Sequence, residues 1–345
     1  MKQYIKCDIV KLLVKNTYSK VQLMITMTEI AKLTKVSQPT VSRVLNGNMN
    51  VAPDIRERVL ACAKEHNYQP NVLAKGLQGS KTHLLGVILT DISNGFFADV
   101  AKAIETEARK HGYSIILFNS NYNTDNELEY LDVVRRYRVD GVLAVPMRET
   151  SEVWQGYAEK LEIPVVSVTR QTKGLDSVYV DHAEAGQMVA EHLSHQGYKQ
   201  FLFIGKDYDL KYIGFRQTLS EYGQAEHVAN IVYQDDPQMK AALKAYLPCR
   251  EKRLGIFAGN DIYALRILSF LQELQFLVPA EAGVVGFDDT MMARYLKPGL
   301  SSVSQPIERM AQEAVSRLLY RIEHLGQHPL WDCPLHGLLV PRQSS

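Results

Sequence analysis

The chain has 345 residues, which at roughly 100–200 residues per domain implies two or three domains. Hydrophobic residues make up 46% and charged residues 22%, the balance of a globular protein, which excludes a disordered or collagen-like chain. The net charge of +1 is unevenly spread: +4 over residues 1–25, +4 over 26–83 and −7 over the remainder, so a basic head precedes an acidic body. Such a head suits a polyanion partner, although four surplus charges also fit an ordinary surface. No apolar run reaches the ~18 residues of a membrane helix. Cys7, Cys62, Cys249 and Cys333 lie far apart with no C-x-x-C pair. That spacing excludes a clustered zinc site and a disulfide framework, and suits a reducing cytoplasm.

Residues 1–25 contain apolar stretches broken by Lys6, Asp8, Lys11, Lys15 and Lys20. A secretory signal needs an unbroken apolar run of ~7–15 residues, so the segment does not read as one. It is either a basic arm or the product of an upstream start codon. The second reading is preferred, because Met24 stands just before the first convincing helix. A native start at Met24 is expected, and intact-mass measurement showing Met1 retained would contradict it.

Thr26-Met27-Thr28-Glu29 is a capping box: a threonine oxygen accepts the amide three residues on, and Glu29 reaches back. Met27, Ile30, Ala31 and Thr34 then share one face of a short helix. A turn at Lys35-Val36 leads to Ser37, which caps a second helix with Pro39 in its first turn. Val41, Val44 and Leu45 form its inner face. Asn46-Gly47-Asn48 stops it, and Pro53-Asp54 opens a third helix with Ile55, Val59, Cys62 and Ala63 inward. Two short helices joined by a tight turn make a helix-turn-helix, whose second helix lies in the DNA major groove. Gln38, Thr40, Ser42 and Arg43 are exposed there; Gln can read adenine, Arg guanine, and Ser or Thr a phosphate. A three-helix bundle without any nucleic-acid role competes with this reading.

The segments Val36–Asn46 (VSQPTVSRVLN), Arg56–Val59 and Tyr68–Leu77 (YQPNVLAKGL) closely resemble the DNA-binding head of the lactose-repressor/galactose-repressor (LacI/GalR) family of bacterial transcription regulators. The resemblance implies that Gln38 and Pro39 occupy variable specificity positions. Arg43 takes a base-contacting place, and Ser37, Thr40, Ser42 and Asn46 hold phosphate or flank the bases. Pro39 has no donor, so it could read only an apolar feature such as a thymine methyl. Lys35 stands where a turn glycine is usual, and a left-handed conformation there would be strained. Pro70–Gln78 matches the family's hinge helix, which implies minor-groove roles for Asn71, Ala74, Lys75 and Leu77, with Leu77 as the apolar wedge. Gly76 weakens that helix by about 1 kcal/mol relative to Ala.

From Leu84 onward, short apolar runs alternate with amphipathic ones: LLGVIL, SIILF, GVLAV, PVVSVT, QFLFIG, RLGIFAG and AGVVGF. This rhythm predicts parallel sheets covered by helices on both faces, in two α/β lobes. Neither G-x-G-x-x-G nor a Walker lysine motif is present, which argues against a nucleotide-using enzyme. Ligands of open α/β sheets bind at the carboxyl ends of the strands. That rule selects Asp91 to Phe97, Asn119 to Asn121, Thr169-Arg170, Lys206 to Lys211, Gly259-Asn260-Asp261 and Asp288-Asp289. Amides, carboxylates and aromatics together suit a sugar or nucleoside. Phe96 and Phe97 could equally seal a helix start, and Asn260 could be a helix cap.

The strings DISNGFFADVAKAIE, RVDGVLAVP, VYVDHAEAGQMVAEHL, FAGNDIYALRIL, VVGFDD and SSVSQPIERM resemble the periplasmic-binding-protein-like core of the same family. The resemblance implies effector contacts from Phe96, Phe97, Lys211, Tyr233, Asn260 and Asp288. Lys211 replaces a frequent arginine, keeping the charge but losing the bidentate fork. The implied organisation is an extension over 1–25, a helix-turn-helix head over 26–69, a hinge helix and linker over 70–83, and a core over 84–345. Within the core, the N-lobe would span about 84–180 and 305–328, and the C-lobe about 181–304 and 329–345. Chain crossings are expected near Val180–Asp181, Ser304–Pro306 and Gln327–Trp331.

The fold class is therefore α/β, with an all-α head and two doubly wound parallel-sheet lobes. The expected function is an effector-controlled transcription regulator, most simply a repressor. Its expected partners are a double-stranded palindromic operator, a sugar-like small molecule and a second copy of the chain, with no cofactor and no membrane. A twofold pair of heads would read a palindrome. Two rivals are weaker. A solute-binding receptor would have no use for residues 26–78, and a sugar-acting enzyme would need a compact nucleophile or paired-carboxylate motif.

Overall fold

The computed structural model describes residues 25–45, 47, 50–68, 81–147, 151–160, 163–247, 253–324, 326 and 328–345. The chain divides into two compact units, up to Ser80 and from Lys81 to Ser345.

The first unit contains α1 (Met27–Thr34), α2 (Gln38–Leu45) and α3 (Pro53–Glu65). The capping box is present: the Glu29 amide donates to Thr26 Oγ1 at 3.2 Å and the Thr26 amide to Glu29 Oε2 at 2.7 Å. Ile30, Val41 and Val59, one from each helix, are fully buried and meet at the centre. Each contributes roughly 1.5–3 kcal/mol of burial. Lys35 ends α1 in the left-handed conformation (φ 53°, ψ 40°). Its amide donates to Lys32 O at 3.3 Å, and the Val36 amide to Ala31 O at 3.0 Å. This pair of bonds is a Schellman motif, the arrangement for which glycine is the usual terminator.

The second unit holds two six-stranded sheets. The first contains β1 (Leu84–Leu89), β2 (Ser114–Asn119), β3 (Gly141–Ala144), β4 (Val165–Thr169), β5 (Asp176–Val180) and β11 (Asp332–Leu335), in the order β11-β5-β4-β3-β1-β2, all parallel. The second contains β6 (Gln200–Ile204), β7 (Val228–Ile231), β8 (Leu254–Ala258), β9 (Ala282–Asp288), β10 (Ser301–Ser304) and β12 (Leu338–Val340), in the order β12-β10-β9-β8-β6-β7. Only β12 runs antiparallel to its neighbour. Both sheets are doubly wound, and their topological switch points lie between β1 and β3 and between β6 and β8.

Val180–Asp181 lies between β5 and the following helix, and Ser304–Pro306 between β10 and the following helix. β11 pairs with β5 in register Asp332↔Ser177 to Leu335↔Val180, so the chain stays with the N-lobe through Leu335 and crosses at His336-Gly337 rather than at 327–331. The cause is a buried ion cluster. Asp176, its side chain only 1% exposed, accepts Arg317 Nε and Arg321 Nε at 2.6 Å each and the Trp331 amide at 2.9 Å. These bonds fix the returning chain beside β5. Residues 81–83, placed in the linker by sequence, belong to the second unit.

The helices that position the cleft include α4 (Gly95–Lys110), α7 (His182–His195), α8 (Leu210–Glu221), α10 (Asp261–Glu273) and α12 (Ile307–Glu323), with α5 (Thr124–Arg136) and α6 (Ser151–Lys160) on the outer N-lobe face, and α9 (Asp236–Tyr246) and α11 (Met291–Tyr295) in the C-lobe. Helices α7 and α8 cross backbone to backbone. A Cβ added at Gly186 would sit 2.1 Å from Lys211 O, and one at Gly214 would sit 2.1 Å from Ala183 O. The close crossing brings the start of α8, and with it Lys211, to the start of α7.

Candidate nucleic-acid interface and effector cleft

On the head, Gln38, Pro39 and Arg43 are exposed on α2, with Ser37 exposed before it and Thr40 and Ser42 half-buried beside them. Ser37 Oγ lies 2.8 Å from Thr40 Oγ1 and accepts the Thr40 amide at 3.4 Å. Val41 and Val44 point inward, so the helical period leaves the amide, the guanidinium and the hydroxyls on the outer side. Donors and acceptors on one exposed helix face are what a major-groove reader requires. Asn46, Asn71, Ala74, Lys75 and Leu77 lie outside the described residues.

In the second unit, Asp261, Lys211 and Asp289 of the residues selected by strand ends lie close to Asp288. This residue ends β9 at φ 114° and is followed by Asp289 at φ 49°, two strained conformations at one strand end. Asp288 is buried and accepts Gln305 Nε2 at 2.7 Å. Burial, reinforced by the charge of Asp261, pushes its carboxyl well above the usual range, although Lys211 and Gln305 pull the other way. Asp261 is also buried and accepts the Thr290 amide at 2.7 Å, Thr290 Oγ1 at 2.9 Å and Ser302 Oγ at 2.6 Å. Its carboxyl, raised chiefly by burial, titrates at about 6. Asp289 is paired with Arg342 at 2.6 Å and Arg294 at 3.2 Å. These networks hold the β9 terminus so that Asp288 is the carboxylate left beside Gln305.

Lys211 packs beside the same strand end. Its ammonium lies 4.4 Å from the Phe287 ring centre and 3.4 Å from Asp209. His182, the first residue of α7 after the crossing, meets Phe287 edge-on at 5.3 Å. Burial, with Lys211 second, lowers its imidazole to about 3, so it is neutral at physiological pH. Gln305 stands at the second crossing, and its Oε1 is buried without a hydrogen-bond partner among the described residues. Crossing residues thus line the cleft with polar atoms.

Phe96 and Phe97 share the start of α4, ring centres 5.2 Å apart, where Asn94 Oδ1 caps the Phe96 amide at 3.1 Å. Phe96 is 4% exposed and packs into the core, so of the pair the half-buried Phe97 is the one open to a ligand. Asn260 caps α10 by accepting the Tyr263 amide at 2.8 Å, the alternative that the sequence left open. Tyr233 forms a separate stack with Tyr263 at 4.3 Å, and its hydroxyl is tied to Asp236 and Arg266. Sequence reasoning missed His182, Gln305, Tyr122 and Tyr263. Burial and then Asp91 raise the Tyr122 hydroxyl, against a lowering Thr90 bond, with the smaller influences of Tyr263 and Asp288 coming from the opposite lobe. Gln305, His182 and Tyr263 carried a signal, as parts of the SSVSQPIERM, VYVDHAEAGQMVAEHL and FAGNDIYALRIL strings, and Tyr122 carried none.

Comparisons with known proteins give the family and the fold. A profile described as bacterial regulatory proteins, lacI family, matches residues 26–71, and one described as periplasmic binding protein-like domain matches residues 190–345. The chain is 34% identical over 297 residues to catabolite control protein A of Priestia megaterium, covering 82% of this chain and 88% of that one. It is 32% identical to the sucrose operon repressor of Pediococcus pentosaceus, with 86% and 92% covered. The lac repressor dimer bound to operator and the anti-inducer ONPF shares the fold, with a TM-score of 0.81 at 23% identity over 93% of this chain and 98% of that one. A LacI-type regulator from Alkaliphilus metalliredigens complexed with D-xylulofuranose gives a TM-score of 0.67 at 25% identity, covering 76% and 99%. Among the described residues no helix is long and apolar enough to cross a membrane. The chain belongs to the lacI family of bacterial regulatory proteins and is a DNA-binding transcription regulator rather than an enzyme.

Proposed function

We propose that this regulator is a cytoplasmic, dimeric repressor whose operator affinity is set by a small polar metabolite, a sugar, sugar derivative or nucleoside, bound between its two lobes. The observation that carries the reading is the polar cluster at the lobe crossings. At the end of β9, Lys211 and His182 meet Phe287 while Gln305 bonds Asp288, which brings together an ammonium, a neutral imidazole, an amide and a carboxyl. A ligand hydroxyl can donate to Gln305 Oε1, which has no partner among the described residues. An uncompensated buried acceptor costs about 1–3 kcal/mol, so satisfying it favours the liganded, closed cleft.

A ligand shifts an equilibrium only through differential affinity for its two states. Gln305 stands at one crossing and His182 next to another, so occupancy favours one closure angle of the N-lobe over another. In a twofold dimer that angle changes the distance between the chains leading to the two heads. Gln38, Pro39 and Arg43 then read the two half-sites, with Ser37, Thr40, Ser42 and Asn46 on the phosphates or beside the bases. Asn71, Ala74, Lys75 and Leu77 act in the minor groove. Phe97, with Phe96 behind it, together with Lys211, Asn260, Asp288 and Tyr233 serve the effector.

The test is a titration of the full-length protein on a selected palindromic duplex and on scrambled competitor, with and without sugars, sugar phosphates and nucleosides that raise its melting temperature. The reading requires preference for the palindrome and a change of that preference by at least one stabilising metabolite. Equal binding to both duplexes under every condition refutes it.

A further inference from the structure

The chain enters the second unit through Thr82 and His83, and both are held by one carboxylate. Asp140, the residue before β3, accepts the Thr82 amide through Oδ1 at 2.8 Å and the His83 amide through Oδ2 at 2.9 Å. The Thr82 hydroxyl, with one proton to give, lies 2.8 Å from both Asp140 Oδ1 and Arg138 O. The Asp140 amide in turn donates to Leu84 O at 2.8 Å, and the Ser114 amide to His83 O at 2.9 Å. Thr82 is 3% exposed, and His83 is held at φ 55° with its ring 5.1 Å from that of Tyr113. The contact one residue earlier, Lys81 to Glu323 at 3.8 Å, is an exposed pair of little strength. Among the described residues of the second unit, Thr82 is the first that is firmly tied to the N-lobe.

We propose that Asp140 is a positioning residue for allosteric control: it fixes the point from which motion of the N-lobe is transmitted along the chain to the DNA-binding head. The inference rests on the effector-controlled reading above. A tether passes on a displacement only from its first fixed residue. Without Asp140 both amides lose their acceptor; the Ser114 amide still holds His83 O, and Thr82 is left on its single hydroxyl bond to Arg138 O, so the anchor at Thr82 is loosened by about one residue, or roughly 3.5 Å of extended chain. Allosteric shifts at subunit interfaces are typically about 1–2 Å. That slack exceeds the stroke, so much of the stroke is absorbed. Asp140 touches neither the DNA-reading face nor the cleft cluster, and its role is mechanical.

The experiment uses the full-length protein as wild type, Asp140→Ala, Asp140→Asn and Thr82→Val. One arm measures binding to the wild-type-selected palindrome and to versions with one or two base pairs inserted at its centre. The other measures operator affinity with and without D-ribose, D-glucose, sucrose, glucose 6-phosphate or adenosine, whichever raises the wild-type melting temperature. We expect Asp140→Ala to keep the metabolite-induced melting shift while its metabolite-dependent change in operator affinity falls about fivefold or more, and to tolerate the inserted spacings that wild type rejects. Asp140→Asn, which keeps the Oδ1 acceptor, recovers most of both properties, and Thr82→Val, which loses only the hydroxyl bonds, lies between. Thr82→Val also carries the test if Asp140→Ala fails to fold. Wild-type spacing discrimination and full metabolite response in the alanine variant overturn the proposal. Loss of the melting shift together with the response overturns it too, because the role would then be structural. If no metabolite alters operator binding by wild type, the effector reading fails, and the spacing arm alone decides whether Asp140 fixes the tether.

Discussion

Replacing Lys35 with glycine should stabilise the DNA-binding head, and the structure fixes how much. Lys35 sits at φ 53° and ψ 40° as the terminator of α1, with its amide and that of Val36 committed to Lys32 O and Ala31 O. The conformation is therefore imposed by two hydrogen bonds and the turn into α2. A non-glycine residue in this region costs about 1–2 kcal/mol. Glycine removes that cost but gives the unfolded chain about 0.4–1 kcal/mol of extra entropy to lose. The net gain is about 0.5–1 kcal/mol, a two- to fivefold smaller open population. Native-state hydrogen exchange of the full-length protein reads this at the Ile30 and Val41 amides, which donate to Thr26 O and Ser37 O. Their exchange should slow by about two- to fivefold in Lys35→Gly. Lys35→Ala removes the same exposed charge and keeps the strain, so it should show no gain. Exchange in the glycine variant as fast as in wild type, or an equal gain in the alanine variant, would refute the strain argument.

Arg43→Ala should cost about 1–3 kcal/mol on the operator and relax preference at one base position; an equal loss on scrambled DNA, measured by anisotropy titration, would mean that Arg43 touches only phosphate. Asp288→Ala should abolish the metabolite response while operator affinity without metabolite stays within about twofold, since the residue belongs to the second unit and the DNA-reading helix to the first; persistent response in the same titration removes Asp288 from the site. Asp176→Asn should destabilise the protein by about 3–5 kcal/mol at pH 7, because two guanidiniums lose their carboxylate. Burial pushes the Asp176 carboxyl up, but Arg321, Arg317 and the Trp331 amide outweigh it and hold it below the ordinary range. The ion cluster therefore contributes fully above about pH 4 and is lost as pH falls through the lowered value. Urea unfolding should show the wild-type advantage shrinking on acidification; an advantage unchanged at low pH would contradict the assignment.

Local chemistry alone settles the head. The Thr26–Glu29 box, the Ser37 cap and Pro39 and Pro53 at helix starts act within a few residues, and the period of each helix alone turns Ile30, Val41 and Val59 inward. The same holds for apolar strands such as Leu84–Leu89 and Leu254–Ala258, which must be buried wherever they pair. Strand β10 shows where this ends. Ser301-Ser302-Val303-Ser304 carries little apolar signal, yet Ser301 and Ser302 are fully buried because Ser302 Oγ bonds Asp261 and the Ser301 amide bonds Ser344 Oγ. Its strand character comes from partners far along the chain. The third lobe crossing was misplaced for the same reason, since Asp176 reaches Trp331 across the whole C-lobe insertion.

In the cleft, the strand-end rule marked Asp288, Lys211 and Asn260 as candidates, because it depends only on where each apolar run stops. It could not distinguish Phe97 from Phe96, nor find His182 and Gln305, which enter only because the chain crosses between lobes at Asp181 and Ser304. Residue types and their spacing determine helices, strands and the choice of fold, since those are decided by nearest neighbours and burial. Which polar groups face one another, which carboxylate keeps a free role, and where the chain is anchored by Asp140 are decided by long-range contacts, because hydrogen bonds join atoms that only the folded chain brings within 3 Å.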